Sequence, residues 1–148
     1  MRDPAAQREI LVRIGRLSRG DQPRWGKMTV EQMICHLTDG YRAVLAGRNL
    51  DRVKFWIPRP LLKWIALRLP LRWPKGVRAP WEIAAGLGGT PPVDFEHDRA
   101  ELVRSLNDFC EREPPRGCIH PLFGKMSSRD WMCWAYLHAD HHLRQFGR

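Results

Sequence analysis

The chain has 148 residues, a net charge of +9, 43% hydrophobic residues and seven tryptophans. That length suits one domain with a real core and is too short for two ordinary ones, and the apolar fraction excludes a disordered chain. No apolar run approaches the roughly 18 residues of a membrane span, and the start, "MRDPAAQREI", lacks the apolar core of a signal peptide, so residues 1–148 read as one cytoplasmic domain.

Residues 3–18 carry Ile10, Leu11, Ile14 and Leu17 at helical spacing. Asp3 before Pro4 is a helix start, and Gly20 marks the end. A second helix is expected over 29–46. Thr29 and Gln32 form a capping box, Val30, Met33, Leu37, Tyr41, Val44 and Leu45 make an apolar side, and Gly47 stops it. His36 lies in its middle.

Residues 48–93 are irregular and hold seven of the twelve prolines. Within them "RPLLKWIALRLP" has a short helical pattern, while "RWPKGVRAPW" and "GLGGTPP" read as loop. So long a connection is unusual in a compact domain and is expected to form a lid over one end of the core. It is also the most basic part of the chain: positions 52–78 hold eight Lys or Arg and no acid. No RNA-binding aromatic motif or zinc finger accompanies that charge, so a generally basic surface is preferred to a nucleic-acid partner.

A third helix is expected over 95–112, with Leu102, Val103, Leu106, Phe109 and Cys110 as its stripe. The loop "EPPRGCIHPLFGKM" follows. The last helix spans 127–146, opened by a box of Ser127 and Asp130. The two boxed helices share an approach, "GKMTVEQMICH" from Gly26 and "GKMSSRDWMCW" from Gly124. No segment alternates with period 2, so no sheet is expected. The fold class is all-α: a four-helix bundle with a long Pro/Trp-rich crossover between helices two and three. Cys35, Cys110, Cys118 and Cys133 form no C-x-x-C pair and read as free, mostly buried thiols.

"HADHHLRQ" near the C-terminus holds three of the six histidines. Steps of three and four put Trp131, Ala135, His138, His142 and Gln145 on one helix side. His138 and His142 are then one turn apart, about 5–6 Å between Cβ atoms, close enough to converge on one ion at about 2.0–2.1 Å per Zn–N bond. His141 is rotated by about 100° and should point elsewhere. Two adjacent core histidines need partners for their ring nitrogens. His36 is the best third ligand, although a lone core histidine is more often a hydrogen-bonded structural residue. His97 reads as solvated, and His120, in the "IHPLFGK" loop, as a residue at a pocket mouth. Three imidazoles suit zinc, nickel, copper or iron.

Two stretches, "RWGKMTVEQMICHLTD" and "HPLFGKMSSRDWMCWAYLHADHHLRQFG", resemble in order and separation the DinB-like superfamily of metal-binding four-helix bundles, and its uncharacterised branch most. The resemblance covers most of residues 24–147. It implies one helix-two histidine and an H-x-x-x-H pair before a glutamine on the last helix, which map to His36, His138, His142 and Gln145. It further implies a divalent metal, zinc or nickel ahead of iron or copper, and, in several members, transfer or isomerisation with a low-molecular-weight thiol. The basic, Trp-rich segment 52–81 has no obvious counterpart in the characterised transferases, so their substrates do not carry over.

The first functional expectation is a metal-dependent thiol transferase acting on a small electrophile. Its pocket wall would come from Trp131, Tyr41 and the segment near Trp81, with the "HPLFG" loop and His120 at the rim and Gln145 steadying a ligand ring or a bound water. Arg144 could steady an anionic substrate. The alternative is a non-catalytic metal-binding or stress-response bundle that dimerises through Trp56, Trp64 and Trp73 or associates with a surface. For "FWIPRPLLKWIALRLPLRW" a packed lid is preferred to an interfacial helix on a membrane.

Overall fold

A computed structural model describes residues 1–148 except 2, 78, 85, 113 and 116. Arg78, at the end of the basic stretch, lies outside the described residues. The chain is mostly helical: α1 (Pro4–Gly15), α2 (Val30–Leu45), α3 (Arg59–Arg68), α4 (Phe95–Glu111) and α5 (Ser128–Gln145), with a 3-10 turn (Trp81–Ile83) before α4.

The helix starts follow from their caps. Asp3 accepts from Ala5 N–H at 2.9 Å with Pro4 in the first turn, and Asp94 accepts from His97 N–H at 3.0 Å. Both boxes close reciprocally. Thr29 Oγ1 accepts from Gln32 N–H and Gln32 Oε1 from Thr29 N–H; Ser127 Oγ accepts from Asp130 N–H and Asp130 Oδ2 from Ser127 N–H. Each closed box satisfies two backbone donors that a bare helix end leaves open. The shared Gly-Lys-Met approach has a backbone basis, because Gly26 and Gly124 stand at φ +79° and +75°, where a side chain is strained. Gly20 does not end α1. The helix tightens at Gly15, with Arg16 and Leu17 N–H donating to the carbonyls of Arg13 and Ile14.

The core lies where α2, α4 and α5 meet, with α1 against α4 and α5. Ile10, Met33, Leu37, Leu102, Phe109 and Leu143 are fully buried there, each stabilising the fold by about 1.5–3 kcal/mol. The four cysteines are free, Cys35 and Cys118 buried.

One expectation changes. The chain is not purely helical, because β1 (Ile119–His120) pairs antiparallel with β2 (Gly124–Lys125), His120 opposite Gly124. The crossover carries a short helix where "RPLLKWIALRLP" has its helical pattern. Inside it, α3 buries Leu62 and Leu67, and its Lys63 and Arg68 both reach the buried Asp130 carboxylate on α5. Lys63 Nζ donates to Lys125 O at 2.8 Å and Trp73 Nε1 to Ala66 O at 3.0 Å. Further on, Thr90 N–H and Oγ1–H both donate to Asp39 of α2. Residues 53–77 and 79–83 thereby cover one side of α2 and α5, and beneath them the histidines gather. Among the described residues no helix is long and apolar enough to cross a membrane.

Candidate metal centre

His36 projects from mid-α2, and His138 and His142 from successive turns of α5. Their ring centroids form a nearly equilateral triangle of 5.2, 5.0 and 5.0 Å, with ring planes steeply inclined to one another. One ring nitrogen from each lies within 4.8 Å of the other two, and His36 Nε2 is 3.2 Å from His138 Nε2. Ligand nitrogens around a tetrahedral zinc sit about 3.3 Å apart, given Zn–N bonds of about 2.05 Å, so the first pair already has ligand spacing.

The network fixes where the lone pairs point. The Ile83 carbonyl can only accept, so His36 Nδ1, 2.8 Å away, carries the proton and Nε2 is a lone pair. The Trp25 carbonyl can likewise only accept, so Gln145 turns Nε2 toward it at 2.8 Å. That aims Gln145 Oε1 at His142 Nδ1, 3.0 Å away, which must then donate, leaving His142 Nε2 unprotonated. His138 Nδ1 is buried without a partner. A single proton could bridge His36 and His138 but would leave the third lone pair unmatched, whereas a divalent cation answers all three. The donor set and its geometry therefore fit a metal ion. Electrostatics agree. Burial pushes the His36 pKa below the ordinary histidine value, and burial followed by the neighbouring imidazoles pushes those of His138 and His142 well below it. All three rings stay neutral near pH 7, the state ligation requires.

The triad forms part of the wall of a largely apolar cavity of about 230 Å³. Val53, Phe55, Leu62, Ala66 and Trp73 supply the covering side, Ile83 and Trp134 add to it, and His120 to Phe123 form another edge. The "HPLF" residues line the cavity, with His120 and Phe123 buried in it. Other assignments need correcting. Tyr41 is not cavity wall: it is fully buried in the core, donating its hydroxyl to Ala135 O at 3.1 Å and packing on Phe109. Trp131 lies behind the wall, against Trp134 and His120. The segment near Trp81 does line the cavity, through Ala79, Pro80 and Ile83, while the Trp81 side chain itself is exposed. Arg144 is engaged by Asp140 one turn back. His141 is no member of the triad but does not point away either. It sits at the cavity edge between Trp25 and Trp73. His97 is exposed.

Sequence reasoning missed the Ile83 carbonyl, since a backbone acceptor in a Pro-rich stretch leaves no side-chain signature. No curated protein and no solved structure matches the chain. A family model described as a protein of unknown function, DUF1569, matches residues 5–148, and with nearly its whole length inside that match the chain belongs to this family.

Proposed function

We propose that His36, His138 and His142 hold one divalent ion, zinc or nickel ahead of iron or copper. We further propose that the chain is a DinB-like four-helix bundle of α1, α2, α4 and α5 that activates a low-molecular-weight thiol toward a small electrophile. The observation that carries the metal reading is the convergence of one ring nitrogen from each of three histidines, with His36 and His142 set from behind by Ile83 O and Gln145 Oε1 so that both present a lone pair. Three protein ligands leave a fourth position for an exogenous group, and a bound divalent ion would lower the pKa of a thiol there. The chain's own part is to hold the rings neutral, orient them, and keep water scarce with an apolar cover. The order of the two histidine motifs supports the DinB-like assignment.

Titration calorimetry of chelator-treated protein with zinc or nickel salts tests the reading. One site is expected. His36→Ala or His138→Ala should weaken it by more than a hundredfold, Gln145→Ala by about 10–100-fold as an orienting partner, and His141→Ala only slightly. Equal loss from His141→Ala and His138→Ala would dismiss the triad. For the chemistry, thiol consumption across a panel of thiols and electrophiles should need added metal and fail in His36→Ala. The same rate in both proteins rules out a metal-activated thiolate.

A further inference from the structure

The cavity contains a polar group that the triad does not use. His120 ends β1, and its Nδ1 accepts two backbone N–H groups, Leu122 at 3.2 Å and Phe123 at 3.1 Å. Both partners can only donate, so Nδ1 is the lone pair and Nε2 carries the proton. The ring is clamped as well as typed: it stacks on Phe123 at 4.5 Å and packs against Trp131 and Trp134 at 5.7 and 5.5 Å. Its pKa is pushed down to about 3 by burial and by the charge of Arg59. Among the described residues Nε2 forms no hydrogen bond, yet it is not sealed within packed protein as His138 Nδ1 is, and His120 lines the cavity. Trp134 also stacks on His138 at 4.9 Å, and His120 and the triad line the same chamber.

The rest of the lining narrows what that donor can meet. Among the described lining residues none is Asp, Glu, Lys or Arg, so away from an ion held by the triad they give a carboxylate or phosphate group no counter-charge against its desolvation cost. An apolar cavity of about 150 Å³ admits benzene, so one of 230 Å³ has room for a substituted single ring or a comparable alkyl group.

We propose that the cavity binds a neutral, apolar molecule bearing one carbonyl-type oxygen, and that His120 Nε2–H donates the hydrogen bond that holds that oxygen. The inference rests on the proposed function in treating this chamber as the substrate site, and it names the substrate class. A fixed, neutral imidazole donor in an apolar cavity binds an uncharged acceptor without reorganising. A cationic side chain would instead select an anion.

The probes are acetophenone and cumene, matched in shape, one with the acceptor and one without. Both are titrated into chelator-treated protein, so that no metal contributes. His120→Asn keeps an acceptor near the Nδ1 position for Leu122 and Phe123 N–H and removes the Nε2 donor; His120→Gln restores a donor near Nε2. Acetophenone affinity should fall about tenfold in His120→Asn, the worth of one hydrogen bond, and recover in part in His120→Gln, while cumene affinity stays level. In wild-type protein, whose folding is not in doubt, the His120 Nε2–H proton resonance should shift with acetophenone and not with cumene. Absence of acetophenone binding, an equal fall for both probes, or an unmoved resonance overturns the proposal. Zinc titration of the same samples separates the two ideas. Zinc binding without the acetophenone pattern overturns only the His120 role, and the pattern without zinc binding overturns only the metal.

Discussion

Burial leaves His36, His120, His138 and His142 with little water to solvate a positive charge, and each has its pKa lowered mainly for that reason. The consequence for stability has a definite sign. In the unfolded chain each ring takes its proton near pH 6.5. In the folded chain it does so only at lower pH, near 3 for His120. Protons therefore favour the unfolded state in between. Stability is intact above about pH 7 and lost as the pH falls through 6.5, by about 1.4 kcal/mol per pH unit for each such ring until its folded pKa is reached. Urea denaturation of chelated protein at pH 7.5 and 5.5 should show the midpoint dropping steeply, and a flat profile would mean that these rings ionise freely in the fold. At this scale the sequence was informative about which histidines meet, because helical spacing fixes faces. It put His120 at a pocket but was silent about how that ring is held, because its two partners are backbone groups.

Asp130 links two elements. It closes the capping box of α5 and also receives Arg68 and Lys63 from α3. Its pKa is lowered by the Ser127 and Arg68 hydrogen bonds and by the charge of Lys63, against the opposing effect of burial. Asp130→Ala removes the ion pairs and the half of the capping box that accepts from Ser127 N–H, while Ser127 Oγ keeps its bond to the backbone of residue 130, and it should cost about 2 kcal/mol. Arg68→Ala, from a partly exposed partner, should cost about 1 kcal/mol or less. Urea titrations of both variants decide this, and equal costs would leave the cap without measurable worth. The caps and apolar stripes of α2, α4 and α5 were legible because each rests on local chemistry. The β1–β2 pair was not, since two residues per strand are too few to show an alternation. Tyr41 and Trp131 were misplaced for a related reason. A periodic stripe says that a helix side is buried, but α2 and α5 bury one side in the core and another beneath α3, and spacing alone does not separate these.

Across the whole molecule, apolar exposure concentrates on the outside of the crossover. Trp56 is 85% and Trp64 54% exposed, with Leu61 and Leu71 nearby, on the segment that carries the densest positive charge. Such a patch is typical of a contact surface, and it supports a dimer through Trp56 and Trp64 but not through Trp73, which is half-buried and lines the cavity. Sedimentation velocity should give a dimer at micromolar concentration that Trp64→Glu converts to monomer. A monomeric wild-type protein would end that proposal. This surface was visible in the sequence only as composition, because which of the seven tryptophans turn inward depends on how α3 lies on α5.

The end of α5 is tied to the turn ahead of α2. Arg24 N–H donates to Gln145 O at 2.7 Å, Gln145 Nε2 holds Trp25 O, and Arg148 reaches Asp21. A glycine at position 26 leaves room for the Gln145 amide, which a Cβ there would approach to 3.0 Å. Helix termini open locally at far lower free energy than the core, and here the fraying turn carries the amide that aims His142. How long a bound ion stays would then be governed by how often that last turn peels away from residues 24–26, and the escape rate could change by orders of magnitude while the equilibrium stability of the bundle hardly moved.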